Sequence, residues 1–376
     1  MSIFAKINQK NLALINPSKD VNTSLQTFRK IDNLPPFIHE YLLSKLSLGY
    51  SKHTLQRYIY DFLAFFQFIE RVTAEENFQT EKITLADFLE LEKDGIEHYI
   101  RYLSLELENE ATTVNRKVSA LQSLFQFLVQ RGDTAVNPVL SVQRPKIGKT
   151  EPVYLTNVEL KTLLIWLKQR PNHSKRKAYY EDKLKERDFI VFYLLISTGL
   201  RISELAHLSM KQIDFHQQQL KIKGKGNKER SIPLSGATVQ FMQTYIKSLP
   251  SKNRPQAAGD LFLLGYDFTK KTYVNGVSIS ALQKMLKRTL DEAKHSLSFL
   301  SFKQISAHKL RHSFATELVA NGTDVLTVQS LLGHESVSTT QVYAHVQQQA
   351  RQKAIDSLRF EEGKIIDNEM NQLKSE

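Results

Sequence analysis

Residues 331 to 346, LLGHESVSTTQVYAHV, place His334 just after a helix-ending glycine and Tyr343 nine residues further on, in a stretch too polar to be plain core. Three other stretches carry comparable chemistry. In SAHKLRHSFATELVANG, His308 and Arg311 stand three apart and share a helix face, with His312 one turn from His308. Two histidines at that spacing suggest zinc, as in H-E-x-x-H, but position 309 is Lys, so the general-base carboxylate is missing and a cation sits beside the supposed metal. The pair makes better sense as donors aimed at a phosphate, the Arg fork bidentate and the imidazole a hydrogen bond or proton carrier. In STGLRISELAHLSM, Arg201 follows a glycine at an expected helix start; alone it reads as a surface or capping arginine. In GKGNKER, Lys225 lies in a charged turn that lacks the G-x-x-x-x-G-K-[ST] phosphate loop, although a Lys on a flexible hairpin can reach a phosphate or a leaving oxygen. Taken singly none of these decides: a Tyr on an amphipathic helix is usually core, and the chain has 14 of them.

The elements that must position these residues divide the chain in two. At 376 residues it exceeds what one hydrophobic core usually holds. Residues 1–32 are polar and weakly patterned and read as an N-terminal extension. From Pro35 onward helical periodicity dominates. In SKHTLQRYIYDFLAFFQFIERV the apolar positions Leu55, Ile59, Phe62, Phe66 and Ile69 recur every three to four residues, and in TTVNRKVSALQSLFQFLVQRG Val114, Val118, Leu121, Phe125 and Leu128 do the same. A helical domain of four or five helices is therefore expected over 33–136. The stretch NPVLSVQRPKIGKTEPVYL, with Pro138, Pro145 and Pro152 among Arg144, Lys146 and Lys149, reads as a basic linker over 137–152. Thr156 and Glu159 have capping-box spacing and open a second domain, 153–355, that is again mostly helical. Its exception is QQLKIKGKGNKERSIPLS, two alternating runs flanking a Gly-rich turn, which predicts a β-hairpin. Residues 356–376 form a tail. The fold class expected is mainly α with a small β-sheet or hairpin, in two domains.

Composition narrows the partner. Fifty-one Lys and Arg against 39 Asp and Glu leave a formal charge of +12, which suits a polyanion, either nucleic acid or an anionic membrane surface. No run of 18 apolar residues and no signal-peptide pattern occurs, so cytoplasmic location is the expectation and a membrane span is not. The absence of Cys excludes disulfides, thiolate metal sites and Cys nucleophiles.

Taken together, GLR, GKG in a hairpin, HKLRH, LLGH and a Tyr nine residues on resemble the tyrosine recombinases, the phage-integrase family, over roughly residues 35 to 355. Within it, GLRISEL, GKGNKER and LLGHESVSTTQVYAHV look like the Xer recombinases that resolve chromosome dimers, and the first domain is most similar to that group's single-protein form. The resemblance implies a two-domain DNA clamp, a helical core-binding domain plus a catalytic domain. It implies that Arg201 and Arg311 grip the scissile phosphate, with His308 between them, Lys225 as general acid, His334 as a further phosphate ligand and Tyr343 as nucleophile. Glu204 matches an acidic position that orients the site from behind. No cofactor and no metal are implied, because fixed Arg forks and His donors can stabilise a pentavalent phosphorus centre, and the phosphotyrosine link conserves the bond energy of the strand. The implied partners are double-stranded DNA at a specific site, further copies of the chain in a homotetramer on two DNA sites, and a DNA translocase of the FtsK kind. Ser51, Lys52, His53, Thr54, Arg57, Asn115, Arg116 and Lys117 are the candidates for groove contact, each equally open to reading as solvated surface. An integrase of a phage or mobile element, a type IB topoisomerase and a catalytically silent DNA-binding protein are the competing readings.

Overall fold

The structure is a computed structural model that describes residues 25, 27–73, 78–148, 153–170, 175–224 and 229–333. The chain divides into two compact units, Met1–Thr150 and Glu151–Glu376.

The first unit is built from α1 (Pro36–Ser47), α2 (Lys52–Thr73), α3 (Leu85–Leu89), α4 (Lys93–Arg101), a single π turn (Tyr102–Glu106) and α5 (Ala111–Arg131). The apolar stripes are where periodicity puts them: Leu55, Ile59, Phe62 and Phe66 of α2, and Val114, Val118, Leu121, Phe125 and Leu128 of α5, are all buried, with Ile69 packed at the margin. Aromatic rings interlock the helices, Phe88 stacking on Phe125 with centroids 4.9 Å apart and Phe65 meeting Tyr99 edge-on at 5.1 Å. Gly132, at φ 77°, ends α5 in the left-handed conformation that glycine adopts without strain.

Two segments that composition assigns to the outside belong to this core. Leu25, Phe28 and Ile31 are each no more than 5% exposed, an apolar face at three-residue spacing that polar neighbours conceal. Residues 137–144 pack likewise: Val139 and Val142 are buried, the Asn137 side chain accepts the Val139 N–H and donates to the Gln122 carbonyl at 3.1 Å, and Arg144 donates to Ser119 Oγ at 2.7 Å. Pro138 opens a short 3-10 turn, Pro138–Ser141, and these contacts hold the chain on the surface of α5.

In the second unit, α6 (Asn157–Gln169) starts on the expected capping box, the Glu159 carboxylate accepting the Thr156 N–H at 2.8 Å. Its entry is tied to a distant helix by the Leu155 N–H, which donates to Ser313 Oγ at 2.8 Å. The central helix α7 (Lys175–Thr198) buries Val191, Phe192, Leu194 and Leu195 completely. The short α8 (Ile202–Ala206) leads to an antiparallel sheet of β1 (Ile213–Asp214), β2 (Gln219–Lys223) and β3 (Glu229–Pro233), in which Leu220 faces Ile232 and Ile222 faces Arg230. This is the hairpin that alternation predicts. Then come α9 (Gly236–Ser248), a second hairpin of β4 (Leu264–Asp267) and β5 (Thr272–Asn275), α10 (Ile279–Ala293), α11 (Ala307–Ala320) and α12 (Val325–Leu332). The second hairpin departs from the expectation of helices alone: its strands have only four residues each, too short for a period to show. Helix α12 is held on α11 by a small cluster of Ala315, Val319, Val328 and Leu332. Among the described residues no helix is long and apolar enough to cross a membrane.

Because Phe28 fills the first unit's core, Phe28→Ala is expected to cost about 3 kcal/mol, as for other large core truncations. A lower urea midpoint at unchanged slope would show it; an unchanged midpoint would place the ring outside the cooperative fold.

Candidate active site

The site is assembled in the second unit around one carboxylate. Arg201 caps the start of α8, its backbone N–H donating to Glu204 Oε2 at 2.8 Å and its Nη1 to Glu204 Oε1 at 2.9 Å. From β3, Arg230 closes on the same carboxylate in a two-pronged pair, Nη1 to Oε1 at 2.9 Å and Nη2 to Oε2 at 2.7 Å. Arg311, one turn after His308 on α11, brings its Nη1 to 3.9 Å from Oε2. Burial alone would raise the Glu204 carboxyl, but the Arg230 pair, the Arg201 N–H and the surrounding positive charge together hold it below the usual carboxylate range.

The same three arginines share a second anchor. The last carbonyls of an α-helix have no partner inside the helix and carry its negative dipole end. At the end of α12, Leu331 O accepts from Arg230 Nε at 2.9 Å, Leu332 O from Arg311 Nη2 at 2.5 Å, and Gly333 O from Arg201 Nη2 at 2.9 Å. Arg311 Nη1 also donates to Gly199 O at 2.7 Å. Two glycines make these approaches possible. Gly199 has φ +62°, and a Cβ there would lie 2.4 Å from the Phe314 ring. Gly333 has φ +64°, and a Cβ there would lie 3.2 Å from Arg230 Cδ.

Among the described residues, three guanidiniums surround one carboxylate, and that set is net positive. Arg311 is buried at 4% exposure, whereas the Arg201 side chain keeps 40% and so presents its charge outward. Ser306 caps α11, its hydroxyl accepting the Lys309 N–H, so His308 lies in the helix's first turn. Half-buried, His308 is held below the ordinary histidine value by burial first and then by the charges of Arg311, Lys309 and Arg201. His312, its ring 4.8 Å from that of His308 and perpendicular to it, is pushed down to about 4 by burial, with His308, Lys309 and Arg311 adding to the effect. Both imidazoles are therefore neutral at pH 7 and can donate or accept a hydrogen bond. Among the described residues no group of three His, Cys, Asp or Glu is placed to hold a metal ion.

The structure thus brings together Arg201, Glu204, His308 and Arg311. Lys225, His334 and Tyr343 lie outside the described residues; β2 ends at Lys223, β3 begins at Glu229, and Gly333 closes α12. Arg230 was not foreseen. Its signal was parity, since it alternates with the inward-facing Ile232 and so falls on the buried side of β3.

The groove candidates fall into two sets. Ser51, Lys52, His53 and Arg57 are exposed at the start of α2, where Ser51 Oγ accepts the Thr54 N–H at 3.1 Å. On α5, Arg116 is paired with the buried Asp61, Asn115 donates to Pro145 O at 3.0 Å, and Lys117 is half-buried, its amine lowered by burial, against which the Asp61 charge works.

Residues 154–350 match the family model described as phage integrase family, and residues 39–132 match its N-terminal SAM-like domain. The tyrosine recombinase XerC of Halalkalibacterium halodurans is 33% identical over 81% of this chain and 90% of its own. XerD of Staphylococcus saprophyticus is 32% identical over 82% of this chain and 93% of its own. The solved structure of the Tn1549 transposon integrase with transposon right-end DNA superposes with a TM-score of 0.60 at 18% identity, over 85% of this chain and 99% of that one.

Replacing Glu204 by Gln removes the negative charge that, among the described residues, pairs with the buried Arg230, and a loss of about 3 kcal/mol or more in unfolding free energy is expected. A stability within experimental error of the wild type would mean the carbonyls of α12 suffice. The depressed histidines set a pH dependence. An unfolded histidine titrates near 6.5, so between about 6.5 and about 4 the unfolded chain binds the extra proton, and stability falls as the pH drops through that window. His312→Gln should flatten this fall in urea midpoints measured across the same range, and an unchanged slope would assign the effect to other groups.

Proposed function

This chain belongs to the phage integrase family and is a site-specific tyrosine recombinase, and from that premise we propose that it cuts and rejoins DNA through a 3′-phosphotyrosine link made by Tyr343. In the proposed reaction the phenol oxygen attacks the scissile phosphorus, the bond to the 5′-oxygen breaks, and Lys225 protonates that oxygen as it leaves. Arg201, Arg311, His308 and His334 hold the non-bridging oxygens as charge builds on them. A free phenol titrates near 10, so attack at neutral pH needs cationic neighbours and a base to take its proton. A 5′-hydroxyl attacking the phosphotyrosine reverses the step and reseals the strand, with the bond energy conserved.

The observation that carries the reading is the positive cluster itself. Arg311 is buried and held on two carbonyls, so its orientation is set before any phosphate arrives, which is what electrostatic stabilisation of a transition state requires. Arg201, shared between Glu204 and Gly333 O, keeps an exposed edge to offer.

The substrate in this reading is double-stranded DNA at a specific recombination site. The exposed start of α2, residues Ser51 to Arg57, is the groove contact in this reading, with phosphates supplying most of the affinity. The XerC and XerD relatives support a role in resolving chromosome dimers during segregation; a cytoplasmic location and a translocase partner of the FtsK kind complete this reading. The likeness of the first domain to XerS supports one protein filling all four positions of a homotetramer on two DNA sites.

The test is to recover protein-linked DNA from the native host after denaturation and to sequence the trapped ends, with Tyr343→Phe as control. Adducts at one chromosomal locus, abolished by the substitution, are expected. Adducts at the ends of a mobile element would favour an integrase; adducts that survive the substitution would name another nucleophile.

A further inference from the structure

We propose that Arg230 is a positioning residue for this reaction, one that keeps Glu204 from neutralising Arg201 and Arg311 and pins the end of α12 beneath them. The inference rests on the recombinase reading and assigns a role to a side chain that does not itself meet the phosphate.

Three of the five N–H groups of Arg230 are committed, two to Glu204 and one to Leu331 O, and its side chain is only 9% exposed. Its fork occupies both oxygens of Glu204, while Arg201 takes a share of one and Arg311 stands off at 3.9 Å. Take Arg230 away and, among the described residues, the carboxylate is left with Arg201 and Arg311, the same two whose charge the phosphate needs. The anchorage at α12 is as specific. Leu331, Leu332 and Gly333 each give one carbonyl to a different arginine, and the Arg230 stem lies so close to Gly333 that a Cβ there would meet it at 3.2 Å. Arg230 is thus the side chain through which β3 reaches both the carboxylate and the helix end. Lysine cannot replace it, because a single ammonium cannot span both oxygens of Glu204 and a carbonyl in the required fan.

A neutral phosphorus centre separates this role from a merely structural one. Synthetic duplexes of the sequence at which the wild type is trapped are made with either an ordinary phosphodiester or a methylphosphonate at the cut position, where a methyl replaces one charged oxygen. Cleavage is timed for wild type, Arg230→Gln and Arg230→Lys. If Arg230 protects the charge of Arg201 and Arg311, both variants lose on the order of 10²-fold on the phosphodiester, the scale of losing one oxyanion donor, and clearly less on the methylphosphonate, which has less charge to be met. Equal losses on the two duplexes would reduce Arg230 to a structural residue, and no loss on either would remove it from the reaction. Should Arg230→Gln fail to fold, Arg230→Lys carries the comparison alone. A wild type that cuts neither duplex overturns the recombinase chemistry, and this role with it; a wild type that cuts both, with variants equally impaired, overturns only the role of Arg230.

Discussion

One carboxylate taken out of water governs this site. Glu204 has a side chain only 10% exposed, and burying a charge is unfavourable unless its partners restore what water supplied. The two-pronged Arg230 pair and the Arg201 N–H do so, and in doing so they fix where four elements meet: α8 at Arg201, β3 at Arg230, α11 at Arg311 and α12 at its last carbonyls. Charge and geometry cannot be separated here. The contacts that make Glu204 tolerable are those that aim the arginines.

The helix end is the other half of that constraint. Arginines brought close together repel, and one carboxylate cannot offset three of them. The carbonyls of Leu331, Leu332 and Gly333 add partial negative charge without adding a full one, so the cluster stays positive while each guanidinium is oriented. The apolar contacts beneath, Val328 and Leu332 against Ala315 and Val319, keep that helix end from drifting. Gly199 and Gly333 follow from the same crowding: a side chain at either would press on Phe314 or Arg230, which is why the GLR and LLG stretches carry glycine at these positions.

How much of this was legible depended on whether the contact was local. His308 and Arg311 share a face of α11, so spacing alone could pair them, whereas Arg201, at the cap of its short helix, and Glu204, three residues on, stood out only through the family resemblance. The stripes of α2 and α5 were readable for the same reason, since 3.6-residue periodicity survives in any long amphipathic helix. Arg230 was not, because its partners are Glu204, 26 residues back, and Leu331, 101 residues on. Burial of Asp61 likewise gives Arg116 a structural partner 55 residues away, which its place in a basic run did not reveal. Leu25 and Phe28 were lost in polar surroundings, for which composition is a poor guide when only every third residue packs.

The neutral histidines complete the electrostatic logic. A guanidinium is a donor only and always carries its charge in proteins. Were His308 also charged, it would add repulsion to a cluster that already exceeds its carboxylate; burial and the neighbouring arginines prevent this. Binding charge and proton chemistry are thereby assigned to different residue types. The arginines supply positive charge held in fixed directions. The imidazole, uncharged, can accept as well as donate a hydrogen bond.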